Sequence, residues 1–115
     1  MAVLSSHFLD GTNGTHAAAV GVTLIYIDLA DGRQIIFSAF SDDGGRFTYD
    51  VDAIAGGKYE MLIASGAYFE GQVLPRESVQ ILEEIVIRFT MPDPEARYHI
   101  PVIMSPNSYS CWWSS

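Results

Sequence analysis

The chain has 115 residues, which is room for one domain, and its 49 % hydrophobic and 12 % aromatic residues permit a packed core. Fourteen acidic against six basic side chains give a formal net charge of −8, so we expect no binding to nucleic acid or to an anionic membrane surface. The single cysteine, Cys111, cannot form a disulfide within the chain, and this favours a reducing compartment, namely the cytoplasm.

Apolar segments rich in Val, Ile, Phe and Tyr recur along the chain between Gly, Asp, Asn and Pro, a pattern typical of β-strands joined by turns. They predict strands near residues 3–9, 20–28, 34–40, 46–51, 59–64, 84–91, 98–104 and 108–113, with turns at 31–32, 42–45 and 92–94. Eight short strands indicate an all-β sandwich. Residues 65–72 lack β-branched side chains and predict one short helix. No linker interrupts the pattern, so we expect residues 1–115 to form one domain.

Neither a signal peptide nor a membrane span is expected, because the first residues lack a basic region and no hydrophobic stretch reaches about 18 residues. The high apolar content of so small a body predicts more apolar surface than one monomer can bury, and therefore an oligomer. In the strand at 98–104, alternation separates Tyr98 and Ile100 from His99 and Pro101. Pro101 cannot donate a ladder hydrogen bond, so this strand should lie at an edge or pair irregularly.

Three histidines and one arginine are the candidates for chemistry. His7 and His99 lie in predicted strands, where each is either a neutral strand residue or an acid–base group. His16 lies in a polar loop and is most simply solvated. Arg46 follows a turn, where it either pairs with Asp42 or Asp43 or clamps an oxyanion. Phosphate-loop, zinc-helix and nucleophile-elbow motifs are absent from the sequence, so we expect neither a metal nor another cofactor.

Four segments, in their order and spacing, resemble the transthyretin and 5-hydroxyisourate hydrolase family over essentially the whole chain. They are Leu4-Ser-Ser-His-Phe-Leu-Asp10, Ser41-Asp-Asp-Gly-Gly-Arg46, Gly57-Lys-Tyr59 with Ser65-Gly-Ala-Tyr-Phe69, and Arg97-Tyr-His-Ile-Pro-Val-Ile-Met-Ser-Pro106 with Ser108-Tyr-Ser110. The resemblance implies a transthyretin-like sandwich of two four-stranded sheets with one short helix, assembled as a homotetramer with sites at the dimer–dimer interface. It also implies that His7, Arg46 and His99 are catalytic, since the hydrolase branch uses a histidine, an arginine and a histidine at these positions.

The C-terminal residues depart from the family pattern. The hydrolases typically end in Tyr-Arg-Gly-Ser, whereas this chain ends in Trp112-Trp-Ser-Ser115, so Trp113 replaces the arginine. Two indoles offer stacking surface and remove a charge. We therefore expect Trp112, Trp113 and Ser115 to bind the substrate, although the two tryptophans could instead pack an interface.

Three functions are compatible with these residues. The altered tail favours an acid–base enzyme retuned to a larger aromatic small molecule, for example a cyclase that adds a hydroxyl to an alkene in secondary metabolism. The histidine and arginine set favours a genuine 5-hydroxyisourate hydrolase of urate degradation. A non-catalytic small-molecule carrier would suit the apolar tail but leaves both histidines without a role.

Overall fold

Ten strands and one short helix make up the computed structural model, which describes residues 1–72 and 79–114. In chain order they are β1 (Ala2–Asp10), β2 (Thr15–His16), β3 (Gly21–Asp28), β4 (Gly32–Phe40), β5 (Arg46–Val51), β6 (Lys58–Ile63), α1 (Ser65–Glu70), β7 (Ile85–Thr90), β8 (Arg97–His99), β9 (Val102–Ser105) and β10 (Ser108–Cys111). The described helical segment is far too short and polar to span a membrane.

The strands form two sheets that face each other across the core. In the first sheet β1 is central: β5 and then β2 pair along one edge, β8 and then β9 pair along the other, and β10 lies beyond β9. The second sheet has the antiparallel order β4-β3-β6-β7. Two sheets and one short helix confirm the predicted all-β sandwich.

The first sheet contains six strand segments because two of its four positions are divided. The strand predicted at 98–104 is split into β8 and β9 at Pro101, where the irregular pairing expected for a proline occurs. The two-residue strand β2, in a region expected to be a loop, continues the edge occupied by β5. The predicted helix over 65–72 is observed as Ser65–Glu70.

Alternation along β1 determines which side chains reach the core. The even-numbered residues from Ala2 to Asp10 are buried and the odd-numbered residues from Val3 to Leu9 are only partly buried. The two buried polar residues have partners: the Ser6 hydroxyl donates to the Ile100 carbonyl at 2.6 Å, and the Asp10 carboxylate accepts from the Tyr68 hydroxyl at 2.8 Å. The odd-numbered residues thus form an outer face of the first sheet.

The helix is held by tertiary contacts, because six residues are too few for a stable isolated helix. Phe69 is buried in the core, and the neighbouring Tyr68 reaches Asp10 on β1. Burial and the Asp10 carboxylate raise the pKa of Tyr68 to about 12. Burial also opposes ionisation of Asp10, but hydrogen bonds from Thr12 and Tyr68 outweigh it and hold the Asp10 pKa below its usual value.

A tight turn before β5 brings the chain into register with β1. The Asp42 carboxylate accepts from the backbone N–H groups of Gly44, at 3.0 Å, and Arg46, at 2.8 Å. Gly45 has φ of +77°, and its carbonyl accepts from the N–H of Phe8 at 2.7 Å. A Cβ at Gly45 would lie 2.4 Å from the Phe8 carbonyl oxygen, so this position requires glycine for two reasons.

Substitution of Gly45 is expected to destabilise the fold. Gly45→Ala combines a left-handed backbone with a backbone clash, and we expect a loss on the order of 2–4 kcal/mol, seen as a lower thermal midpoint by circular dichroism. Gly44→Ala is the matched control, because its Cβ would meet only Asp42 Oδ1 at 3.5 Å. Equal midpoints for the two variants at the same protein concentration would contradict this account of the turn.

Candidate functional site

The outer face of the first sheet brings together the three residues predicted to be catalytic. In the antiparallel β1–β5 pair His7 lies directly opposite Arg46, so their Cβ atoms are about 5 Å apart. In the parallel β1–β8 pair His99 lies beside Ser5, two residues from His7 and about 8 Å from it by strand geometry. The three groups therefore fit within reach of one small molecule.

Among the residues that the structure describes, no carboxylate pairs with the Arg46 guanidinium. The predicted alternative, an ion pair with Asp42 or Asp43, is not observed, and the Asp42 carboxylate instead accepts hydrogen bonds from the backbone of its own turn. None of the salt bridges between described residues involves Arg46, which is exposed. A guanidinium positioned in this way can donate two parallel hydrogen bonds to a carboxylate or to a developing oxyanion.

His99 is oriented by a hydroxyl group. Its Nδ1 lies 2.8 Å from Ser5 Oγ, and the ring is partly buried on the outer face. A partly buried imidazole needs such a partner to compensate for lost hydration. Ser5 was not among the predicted site residues, although its place two residues before His7 on the same strand face would have identified it.

His7 occupies the middle of this face and is kept neutral. Burial is the main cause that lowers the pKa of His7, followed by the positive charge of Arg46 and the neighbouring His16, while a hydrogen bond to the Gly44 carbonyl opposes them. A histidine whose pKa lies below the usual 6.5 is unprotonated at neutral pH. His7 can therefore accept a proton under those conditions.

His16 joins the site, contrary to the simplest expectation for a loop histidine. It is exposed, but β2 folds back on β1 so that His16 lies opposite Leu9, and its Nδ1 is 2.9 Å from Nε2 of His7. The signal that could have indicated this is Asn13-Gly14, a dipeptide typical of tight hairpin turns, with Gly14 at φ of +74°.

The two C-terminal tryptophans have different neighbours in the first sheet. Trp112 directly follows β10, and its backbone N–H donates to the Pro101 carbonyl at 3.4 Å. The Trp113 ring lies 6.2 Å from the ring of Tyr98, whose side chain is directed to the core. Ser115, the third residue predicted to bind substrate, lies outside the described residues.

Two clefts in the described structure lie away from the histidine face. A cleft of about 290 Å³ beside Trp113 is apolar and is lined by Phe89, Thr90, Pro92, Tyr98 and Ile100. A larger cleft of about 730 Å³ lies beside α1 and includes Ala67 and Glu70. In contrast, Arg46 and His16 stand exposed on the sheet surface, so in a single chain the site is open. Over the described ranges, no cluster of His, Cys, Asp and Glu has the composition to hold a metal ion.

Known proteins are similar to this chain over nearly its whole length. The model of the HIUase/Transthyretin family matches residues 4–113. The 5-hydroxyisourate hydrolase of Deinococcus radiodurans is 31 % identical over 115 residues, covering 97 % of this chain and 95 % of the relative. The structure of Klebsiella pneumoniae 5-hydroxyisourate hydrolase has a TM-score of 0.76 at 28 % identity, covering 98 % of this chain and 99 % of that one. Transthyretin from Sparus aurata, at 22 % identity and a TM-score of 0.80 over 96 % of this chain and 95 % of that chain, shares the fold.

Proposed function

The chain belongs to the HIUase/Transthyretin family, and on that premise we propose that it is a 5-hydroxyisourate hydrolase, which opens a ring by adding water. The observation that carries the proposal is the placement of His7, Arg46 and His99 on one sheet face, with His7 neutral and Arg46 unpaired among the described residues. The two hydrolases that the chain resembles support the same reaction.

The geometry suggests a role for each group. His7, as the neutral imidazole, accepts a proton while the water oxygen adds to the ring carbonyl carbon. Arg46, directly opposite, donates to the oxygen that gains negative charge. His99, held by Ser5, donates a proton to the ring nitrogen as the carbon–nitrogen bond breaks. Each positioned proton transfer contributes about 10² to 10⁴ in rate.

The comparisons favour this hydrolysis over the retuned cyclase suggested by the tail. The curated relative and the Klebsiella structure are both named for the hydrolase, and nothing in them supports a cyclisation. A carrier without catalysis would use the apolar tail but would give the neutral His7 and the oriented His99 no function.

The tail contributes in two different ways in this proposal. Trp112, beside Pro101 and therefore near His7, forms a stacking wall for a planar substrate at the edge of the outer face. Trp113 anchors the tail by packing on Tyr98 and acts on the substrate only through Trp112.

Assembly completes the site. Water must be controlled around a hydrolytic centre, yet the histidine face of one chain is open, so a second copy must supply the opposite wall. Exposed apolar side chains available for assembly include Ile103 on the outer face of the first sheet, which is 37 % exposed, and Phe40 on β4 of the second sheet, which is 74 % exposed. We propose a homotetramer in which the outer faces of the first sheets of two dimers form the shared site.

The hydrolase activity is tested with freshly generated 5-hydroxyisourate. We expect the purified protein to accelerate its decay, followed by ultraviolet absorbance, and expect His7→Ala, Arg46→Gln and His99→Ala each to lower kcat/KM by about 10²-fold or more. Arg97→Gln is the matched control for Arg46, since Arg97 pairs with Val3 on the same face but lies four positions along β1 from His7. A wild-type rate equal to that in buffer would remove the proposal.

The pH dependence of kcat/KM tests the role of His7 as the base. A base acts when it is neutral, so kcat/KM should rise with pH through the lowered pKa of His7, with the midpoint of the acidic limb below 6.5. In Arg46→Gln the positive neighbour is lost, the pKa of His7 rises, and the acidic limb of the residual activity should move to higher pH. An unmoved limb would exclude His7 as the group that titrates.

The two tryptophans should respond differently to truncation. Trp112→Ala is expected to raise KM several-fold with a smaller effect on kcat, because it removes stacking surface. Trp113→Ala removes the contact with Tyr98 and should lower the thermal midpoint, whereas Trp113→Phe keeps an aromatic ring there and should restore most of it. Equal kinetic effects with unchanged midpoints in both alanine variants would contradict the division of roles.

The assembly is tested by light scattering after size-exclusion chromatography. We expect a mass near four times the 12.6 kDa of one chain at micromolar concentration. Ile103→Glu places a charge on the outer face beside Leu9 and is expected to reduce the mass to that of a dimer. A wild-type monomer that retains full hydrolase activity would overturn the shared site.

A further inference from the structure

The contact between His7 and His16 goes beyond the family's catalytic set. His16 Nδ1 and His7 Nε2 are 2.9 Å apart, and the two rings lie 5.0 Å apart at an angle of 33°. The register of the β1–β2 hairpin fixes this contact, because His16 lies opposite Leu9 on the outer face, two residues from His7. Two imidazoles at this distance must share a proton, since one nitrogen has to donate and the other has to accept.

The other nitrogen of His7 determines the direction of that hydrogen bond. The backbone of Gly44 favours a proton on the His7 ring, and because Nε2 faces His16 at 2.9 Å, Nδ1 is the nitrogen left to carry that proton. A neutral imidazole carries one proton, so Nε2 of His7 holds the lone pair and His16 Nδ1–H donates to it. Both nitrogens of His7 are therefore engaged, whereas His16 is exposed and uses only its Nδ1 in this contact.

We propose that His16 is the outer half of a two-imidazole proton relay, so that the attacking water gives its proton to His16 and not directly to His7. This inference rests on the proposed hydrolase function. His16 Nε2 takes a proton from water as the water oxygen bonds to the substrate carbonyl carbon, and His16 Nδ1 passes its proton to His7 Nε2. His7 then holds two protons, one of them donated to the Gly44 carbonyl, and the relay runs backwards when the proton is returned.

The charges around His7 support such a relay. The titratable or charged groups that face it in the described structure are Arg46 on β5, His16 on β2 and His99 on β8. After burial, the positive charge of Arg46 is the largest cause that lowers the pKa of His7. Negative charge forming on the substrate next to Arg46 cancels that repulsion, so His7 becomes a better proton acceptor at the moment when the relay delivers the proton.

Two variants of His16 separate a relay from a merely positioning role. His16→Ala removes both nitrogens, whereas His16→Asn places an amide N–H where Nδ1–H was and has no second nitrogen to accept a proton. We expect both variants to lower kcat/KM for 5-hydroxyisourate at pH 8 by about tenfold or more. Thr15→Ala is the matched control: Thr15 is the adjacent exposed residue of β2, pairs with Asp10, and should leave the rate within about twofold of wild type. Full recovery of the rate in His16→Asn would overturn the relay.

A titration of the His7 ring by NMR tests the contact without using activity. His16 lowers the pKa of His7, so in His16→Ala the His7 resonance should titrate at higher pH, and in His16→Asn the shift should be smaller because a donor remains. An unchanged His7 titration in His16→Ala would show that the rings do not pair and would overturn the proposal. If wild-type protein leaves 5-hydroxyisourate decay at the buffer rate, the proposed function fails, and the titration alone decides whether the pair exists.

Discussion

The position of β1 between two sets of strands is the constraint on which the rest of the structure depends. Its even-numbered residues are fixed in the core, with Leu4 and Phe8 fully buried, so its odd-numbered residues have to face outwards. A shift of the strand by one residue would expose Phe8 and bury His7, at a cost of several kcal/mol for the apolar side chains and the imidazole together. The hydrophobic core therefore determines the direction of the imidazole that the chemistry uses.

Because β1 is central, its outer face collects groups from remote parts of the sequence. The antiparallel pairing of β5 with β1 brings Arg46 to this face, and the parallel pairing of β8 with β1 brings His99 there. His99 is 94 residues from Ser5, its hydrogen-bond partner. Pro101 lies at the position opposite His7, since Ser5 pairs with His99 and Phe8 pairs with Val102. A proline at this point keeps the register of the strand without donating to the ladder, and its carbonyl is available to receive the N–H of Trp112.

Patterns of apolar residues predicted the strands well, because alternation and turn residues are local properties of the chain. The predicted strand 46–51 matches β5, and the Asp42 turn before it was anticipated from its glycines. The resemblance to the family then selected His7, Arg46 and His99, which the register brings to one face. His16 was assigned to solvent because its neighbours are polar, and only the hairpin turn at Asn13 and Gly14 brings it to His7.

The surroundings of the two C-terminal tryptophans could not be predicted from the local sequence pattern. The assigned strand β10 ends at Cys111, so no strand pairing fixes the direction of the side chains that follow, and the Trp113 ring packs against Tyr98. From the sequence both offered stacking surface to a substrate, whereas contact with Tyr98 gives Trp113 a structural partner. The substitution that most strongly suggested a changed substrate therefore lies on the core side of the sheet, and this weakens the argument for a retuned enzyme.

The electrostatics of the outer face link proton acceptance to the formation of the oxyanion. Burial, and after it the positive charge of Arg46, lowers the pKa of His7 and favours the neutral imidazole before reaction. When negative charge develops on the substrate oxygen opposite Arg46, the guanidinium is neutralised locally, and the same change removes the penalty for a cation on His7. Arg46 thus affects His7 twice. Before reaction its positive charge favours neutral His7, and when the forming oxyanion neutralises that charge, protonated His7 is favoured as the water oxygen bonds to carbon.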